Sequence, residues 1–178
     1  MSYLKPLAKT EVSDQAQEIL TEIENQFGMI PNLFKTYAYY PPLLKANWQK
    51  FRATMEGGTL SPKLKQTIAV LISLDNSTEY CVCAHSRALL NMGISEEELK
   101  NIRRGNLSYV GFTRPEITLI NLMRQVNKNA NKISESLFEE IKKQGISNTQ
   151  LVEAYGVMET FLSFNKFLDS LQVEIDIT

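Results

Sequence analysis

Three side chains able to do nucleophilic or proton-transfer chemistry fall within five residues, Cys81-Val82-Cys83-Ala84-His85. The chain holds one histidine and two cysteines, so this cluster contains every residue of both types. Random placement would produce such a cluster in on the order of a fraction of a per cent of sequences of this composition. On a helix, Cys81 and His85 share one face about 6 Å apart, so the imidazole can accept or share the thiol proton. Cys81 also falls in the first turn of a helix capped by Asn76, Ser77 or Thr78. There the helix dipole and the exposed backbone N–H groups favour the thiolate. A first-turn cysteine with a histidine one turn later is the arrangement of an activated nucleophile. Cys81 is therefore expected to be alkylated faster than Cys83.

Cysteine is also among the residue types most often buried, and Cys83, between Val82 and Ala84, reads as a small core residue. Cys81, Cys83 and His85 point about 200° apart in succession along a helix, so they do not converge on one ion, and no fourth ligand is adjacent. A Cys81–Cys83 disulfide meets the same obstacle, because the two Cβ atoms face opposite sides of the helix. Neither a metal nor a cofactor is expected.

The elements that must hold this cluster are helices. Sustained period-two alternation flanked by hairpin turns is missing, while apolar stripes at helical spacing recur. Ser13 caps a helix that carries Ala16, Ile19, Leu20, Ile23 and Phe27 and stops at Gly28. A short segment, Leu33 to Tyr39, follows Pro31-Asn32, and a third helix runs from about Pro42 to Met55, ended by Gly57-Gly58. Ser61-Pro62 pairs an N-cap with proline at the first helical position. The helix it opens, to about Leu74, is apolar on most of its circumference and should be central. The cluster helix runs from about Glu79 to Asn91, with Gly93 as its cap. Ser95-Glu96-Glu97-Glu98 is a capping box opening a helix to Arg104. Further helices span Thr113 to Lys128, Ser134 or Ser136 to Gly145, and Ser147 or Asn148 to about Leu171, before a tail from Val173 to Thr178. With no repeat or linker in view, the expectation is one all-α domain of eight or nine helices over residues 1–178.

Composition excludes several function classes. The 178 residues are 43% hydrophobic and 22% charged, with 19 basic and 20 acidic side chains and a formal net charge of -1. No Lys or Arg run tracks a phosphate backbone, so nucleic acid is not an expected partner. The longest mainly apolar stretch, Ile68 to Leu74, is far short of the roughly 20 residues of a membrane span. The first residues, Met-Ser-Tyr-Leu-Lys-Pro, do not read as a signal peptide. The expected location is cytoplasmic, where two cysteines are more often reduced, catalytic or inert than a structural staple.

The segment Leu60-Ser61-Pro62-Lys63-Leu64-Lys65-Gln66, through Asp75 to Thr78 and on to Glu79-Tyr80-Cys81-Val82-Cys83-Ala84-His85, resembles the alkyl hydroperoxidase D-like branch of the carboxymuconolactone decarboxylase superfamily. With Pro31-Asn32-Leu33-Phe34 and the stretch from Ala38 to Leu44, the chain is similar to the peroxidase-related group of that branch, most strongly from about Pro31 to Met92. The resemblance implies an all-helical fold, commonly trimeric or hexameric. The family pattern is a Glu, a Cys-x-x-Cys twelve residues later, and a His four after the second Cys. Its spacing is kept here, with Gln66 at the Glu position, Thr78 at the first Cys, Cys81 at the second and His85 at the His. The resemblance therefore assigns the nucleophile to Cys81 and the base to His85. It leaves Thr78 unable to form the family's disulfide, and Gln66 able to orient a water but not to exchange protons. Cys83 is badly aimed to replace Thr78.

Three readings follow. The leading one is a thiol-dependent peroxidase or antioxidant-type oxidoreductase that reduces peroxide or another small molecule through Cys81, with an external thiol donor. The second is a redox-silent oligomeric binding or structural protein that kept the fold. The third is a lactone decarboxylase-like enzyme, from which the Tyr80-Cys81-x-x-x-His85 spacing points away. Apolar surface on more than one face of the helix bearing Ile68, and of the last helix, adds the expectation of a closed homotrimer or homohexamer.

Overall fold

Serine side chains set the starts of most helices. In the computed structural model, which describes residues 2–176, nine α-helices and no strand occur among the described residues. They are α1 (Asp14–Phe27), α2 (Asn32–Tyr37), α3 (Pro41–Met55), α4 (Pro62–Asp75), α5 (Glu79–Asn91), α6 (Glu96–Arg104), α7 (Arg114–Asn129), α8 (Glu135–Lys143) and α9 (Asn148–Leu171). The all-helical expectation holds. The hydroxyls of Ser13, Ser61, Ser95 and Ser134 accept from the backbone N–H three residues on. At α6 the Glu98 carboxylate returns to the Ser95 N–H at 2.9 Å, and at α9 Ser147 and Gln150 exchange the equivalent pair. Each such cap contributes about 1 kcal/mol.

Two details differ from expectation. The cap of α5 is Met92, with Gly93 one residue beyond it at φ +89°. Three short 3₁₀ turns, Lys9–Glu11, Leu107–Val110 and Ala130–Lys132, were not anticipated, being too short to show a hydrophobic period. Of the expected tail, residues 177 and 178 lie outside the described residues.

The chain divides into two compact units. One comprises residues 2–53 and 166–176. Its core is aromatic: Trp48 and Phe51 stack 5.8 Å apart, and the rings of Phe27 and Phe34 meet them edge-on. Each such pair adds about 0.5–1.5 kcal/mol beyond area burial. The indole N–H donates to Glu22 Oε2 at 3.1 Å, so no buried donor is left over. Tyr37 stacks on Phe167 at 3.9 Å, and Asn32 ties α2 to Asp176 and Glu174.

The other unit, residues 54–165, is built around α4, as that helix's apolar circumference requires. Leu64, Ile68, Ala69, Val70, Leu71 and Ile72 are all buried. Helices α5, α6 and α7 pack against it. Lys65 meets Glu153 and Ser73 meets Asn165, so this part of α9 runs alongside α4 in the same direction. A single copy of the chain already covers α4.

Candidate functional site

The turn between α4 and α5 fixes where the reactive helix begins. Asp75 takes a two-point ion pair from Arg124 of α7, at 2.7 and 2.5 Å. Next to it, the amides of Asn76 and Asn127 exchange hydrogen bonds at 3.3 and 3.0 Å. Ser77 adopts φ +61°, a left-handed conformation unfavourable for a residue with a Cβ. The chain thereby reverses in three residues. Thr78 then takes the N-cap position, its N–H donating to Ser73 O at 2.9 Å and its carbonyl accepting from Val82 N.

Thr78 is 0% exposed and Cys81 2% exposed, so the expected resolving and attacking positions both face the interior. Cys83 is exposed. That corrects its reading as a core residue: Cys83 takes the solvent side of α5 because the helix turns its other face to α4. Neither cysteine is in a disulfide, and the split between buried and exposed agrees with side chains on opposite sides of one helix. It also bears on alkylation order, since burial shields Cys81 while Cys83 is open to reagents.

His85 and Gln66 come together. The imidazole Nδ1 lies 2.6 Å from Gln66 Oε1, which brings α5 and α4 into direct contact at the site. An amide oxygen only accepts, so Nδ1 carries the proton and Nε2 keeps its lone pair. Phe161 of α9 meets the imidazole edge-on, with ring centroids 4.3 Å apart, and is itself buried. Burial pushes the His85 pKa down to about 4, so the ring is neutral at pH 7. The arrangement is a buried thiol, a neutral imidazole one turn later with a free Nε2, and an amide that holds the tautomer. It can take a proton from a thiol and return it to a leaving group. Among the described residues no group of three or more His, Cys, Asp or Glu side chains could hold a metal ion.

Two features of this unit were missed from sequence. Phe161 lies in an apolar helical run and looks like any core aromatic. Lys65 lies beside Gln66 and is 1% exposed, its ammonium 2.6 Å from Glu153 Oε1 and 2.5 Å from Gly57 O. A lysine at the edge of the apolar run of α4 was the available signal of this pair. Burial alone would raise the Glu153 pKa. Hydrogen bonds from Lys65, Thr59 and Leu60 outweigh it and hold the group down at about 2. A separate cleft of about 330 Å³, lined by residues including Thr59, Leu64, Thr113, Glu116, Gln144 and Gln150, contains none of Gln66, Cys81 or His85.

Residues 41–121, which include every residue of the site except Phe161, match the carboxymuconolactone decarboxylase family. No curated relative matches the sequence. Among solved structures, an uncharacterised peroxidase-related protein from Silicibacter sp. TM1040 superposes with a TM-score of 0.86. Identity is 19%, over 98% of this chain and 92% of that one. A peroxidase-related protein with an alkylhydroperoxidase AhpD core, from Ralstonia eutropha JMP134, gives 0.84 and 19% over the same shares. The debrominase Bmp8, solved in complex with 2,3,4-tribromopyrrole, gives 0.80 and 17%, over 97% of this chain and 90% of that one. At these identities the likeness establishes the fold. No described helix is long and apolar enough to cross a membrane.

Proposed function

On the match of residues 41–121 to the carboxymuconolactone decarboxylase family, we propose that this chain is a thiol-dependent peroxidase of that superfamily, acting through Cys81 and His85. The observation that carries the reading is the 2.6 Å contact between His85 Nδ1 and Gln66 Oε1, one helical turn beyond a buried cysteine. It leaves Nε2 as the base of a thiol–imidazole pair.

In the reaction, Nε2 takes the Cys81 proton and the sulfur attacks one oxygen of a hydroperoxide. The O–O bond breaks, the alcohol leaves with the proton from His85, and Cys81 becomes a sulfenic acid. Thr78 has no sulfur to displace it. An external thiol condenses with the sulfenic acid, releasing water and forming a mixed disulfide. A second thiol then releases Cys81 and leaves as the disulfide of the donor.

The test is hydroperoxide consumption by the purified protein with small monothiol and dithiol donors, against Cys81→Ser. Consumption that needs both Cys81 and a donor supports the reading. Consumption unchanged in Cys81→Ser overturns it, and no consumption with any donor favours a redox-silent scaffold. That second reading has its own support in Thr78 and Gln66, which remove a thiol and a carboxylate from the family's set. The assay repeated with 2,3,4-tribromopyrrole asks whether the thiol prefers an aryl bromide. A closed homotrimer or homohexamer belongs to the same proposal. Its support is exposed apolar side chains such as Met92, Tyr109 and Val152, and light scattering at low micromolar concentration tests it, with a clean monomer as the outcome against.

A further inference from the structure

We infer that Cys81, His85 and Gln66 also act as an acyl-transfer relay, through which the protein hydrolyses small uncharged activated esters and thioesters by way of an acyl-Cys81 intermediate. The inference rests on the same residues as the peroxidase reading but not on its redox chemistry.

Acyl transfer by a cysteine needs a thiol, a base, and a third group that fixes the base in one tautomer. All three are present. Gln66 Oε1 holds the Nδ1 proton of His85 at 2.6 Å, and a neutral amide suffices because the orienting group never has to gain or lose a proton. A redox cycle gains from a second thiol beside the first, and here that position is Thr78, buried and without sulfur. Acyl transfer needs no second thiol, since water closes the cycle. Gln66, Thr78, Cys81, Phe161 and neutral His85 carry no charge. An ionised acyl group drawn among them would be desolvated with no opposite charge on any of these side chains. That selects short, uncharged acyl groups.

The atoms balance without an added oxidant or reductant. Nε2 takes the Cys81 proton while the sulfur adds to the carbonyl carbon. The C–O or C–S bond to the leaving group breaks, and that group departs with the proton from Nε2. Water then attacks the acyl-Cys81 carbonyl, again giving its proton to Nε2. The carboxylic acid leaves, and the sulfur recovers its proton.

The probe is p-nitrophenyl acetate with the full-length wild-type chain. The expected result is a burst of p-nitrophenol equal to the number of chains, with the acetyl group located on Cys81 by mass spectrometry. Cys83→Ser should keep the burst, Cys81→Ser should remove it, and His85→Asn and Gln66→Leu should each slow it at least about tenfold. Acetyl found on Cys83 or lysines but not on Cys81 overturns the inference, and so does a Cys81 burst indifferent to both relay variants. The wild-type mapping decides the matter even where a variant fails to fold. Hydroperoxide consumption is measured in parallel. Acetylation of Cys81 without peroxidase activity leaves this inference standing and removes the peroxidase, and the converse result removes this inference alone.

Discussion

His85 Nδ1 and Gln66 Oε1 stand 2.6 Å apart, joining residues 19 positions apart in the chain through a neutral acceptor. A carboxylate in the same place would stabilise the imidazolium. Gln66→Glu should therefore raise the His85 pKa from about 4 by about one unit or more. Because the chain has a single histidine, an NMR titration of its ring resonances reads this without assignment. A titration identical to wild type would mean that residue 66 does not touch the ring in solution.

Stability should fall with acid over a defined window. In the unfolded chain His85 takes up its proton near pH 6.5, whereas in the fold it stays neutral down to about pH 4. Between those values the unfolded state binds more protons, so this contribution is complete above pH 6.5 and is lost as pH falls towards 4. It amounts to up to about 3 kcal/mol. Urea unfolding of wild type and His85→Asn across this range checks it. Curves that stay parallel would show that burial does not hold the ring neutral.

The two thiols should separate by accessibility. In the native fold iodoacetamide, whose iodide leaves without a proton from His85, should modify exposed Cys83 before buried Cys81, reversing the order that helix-start activation alone predicts. Acylation by an activated ester instead draws on the relay at Cys81. In denaturant the difference should collapse. Native labelling of Cys81 first would show that its burial is transient.

The buried ion pair yields a fourth expectation. Glu153→Gln leaves the Lys65 ammonium buried beside Gly57 O without its counter-charge, and should cost about 3–5 kcal/mol. Replacing both residues, as Lys65→Met with Glu153→Leu, should cost less, because no bare charge remains. Gly58→Ala belongs to the same local structure: its φ is +84°, and an added Cβ would run into the Glu153 carboxylate. Urea melts rank the three, and a double variant worse than Glu153→Gln would contradict the account.

What the chain discloses before folding is mostly local. Ser13, Ser61, Ser95 and Ser134 mark helix starts because a cap needs only its own helix, and Gly28 and Gly105 mark ends because left-handed backbone favours glycine. Cys81 and His85 were legible because one helical turn relates them. The bond from Gln66 to His85 was not, since no period connects positions on different helices, and the resemblance supplied only the alignment of Gln66. Lys65 and Glu153 pair across 88 positions, which no local pattern records. Cys83 misled because cysteine's usual burial outweighed its place opposite Cys81.

The only tryptophan, Trp48, lies in the aromatic core of the unit formed by residues 2–53 and 166–176, and the only histidine lies in the unit of residues 54–165. Each unit thus carries its own unlabelled spectroscopic reporter, indole fluorescence in one and an imidazole NMR signal in the other. A melt followed by both signals resolves whether the units lose structure in one transition or two, with no residue changed to find out.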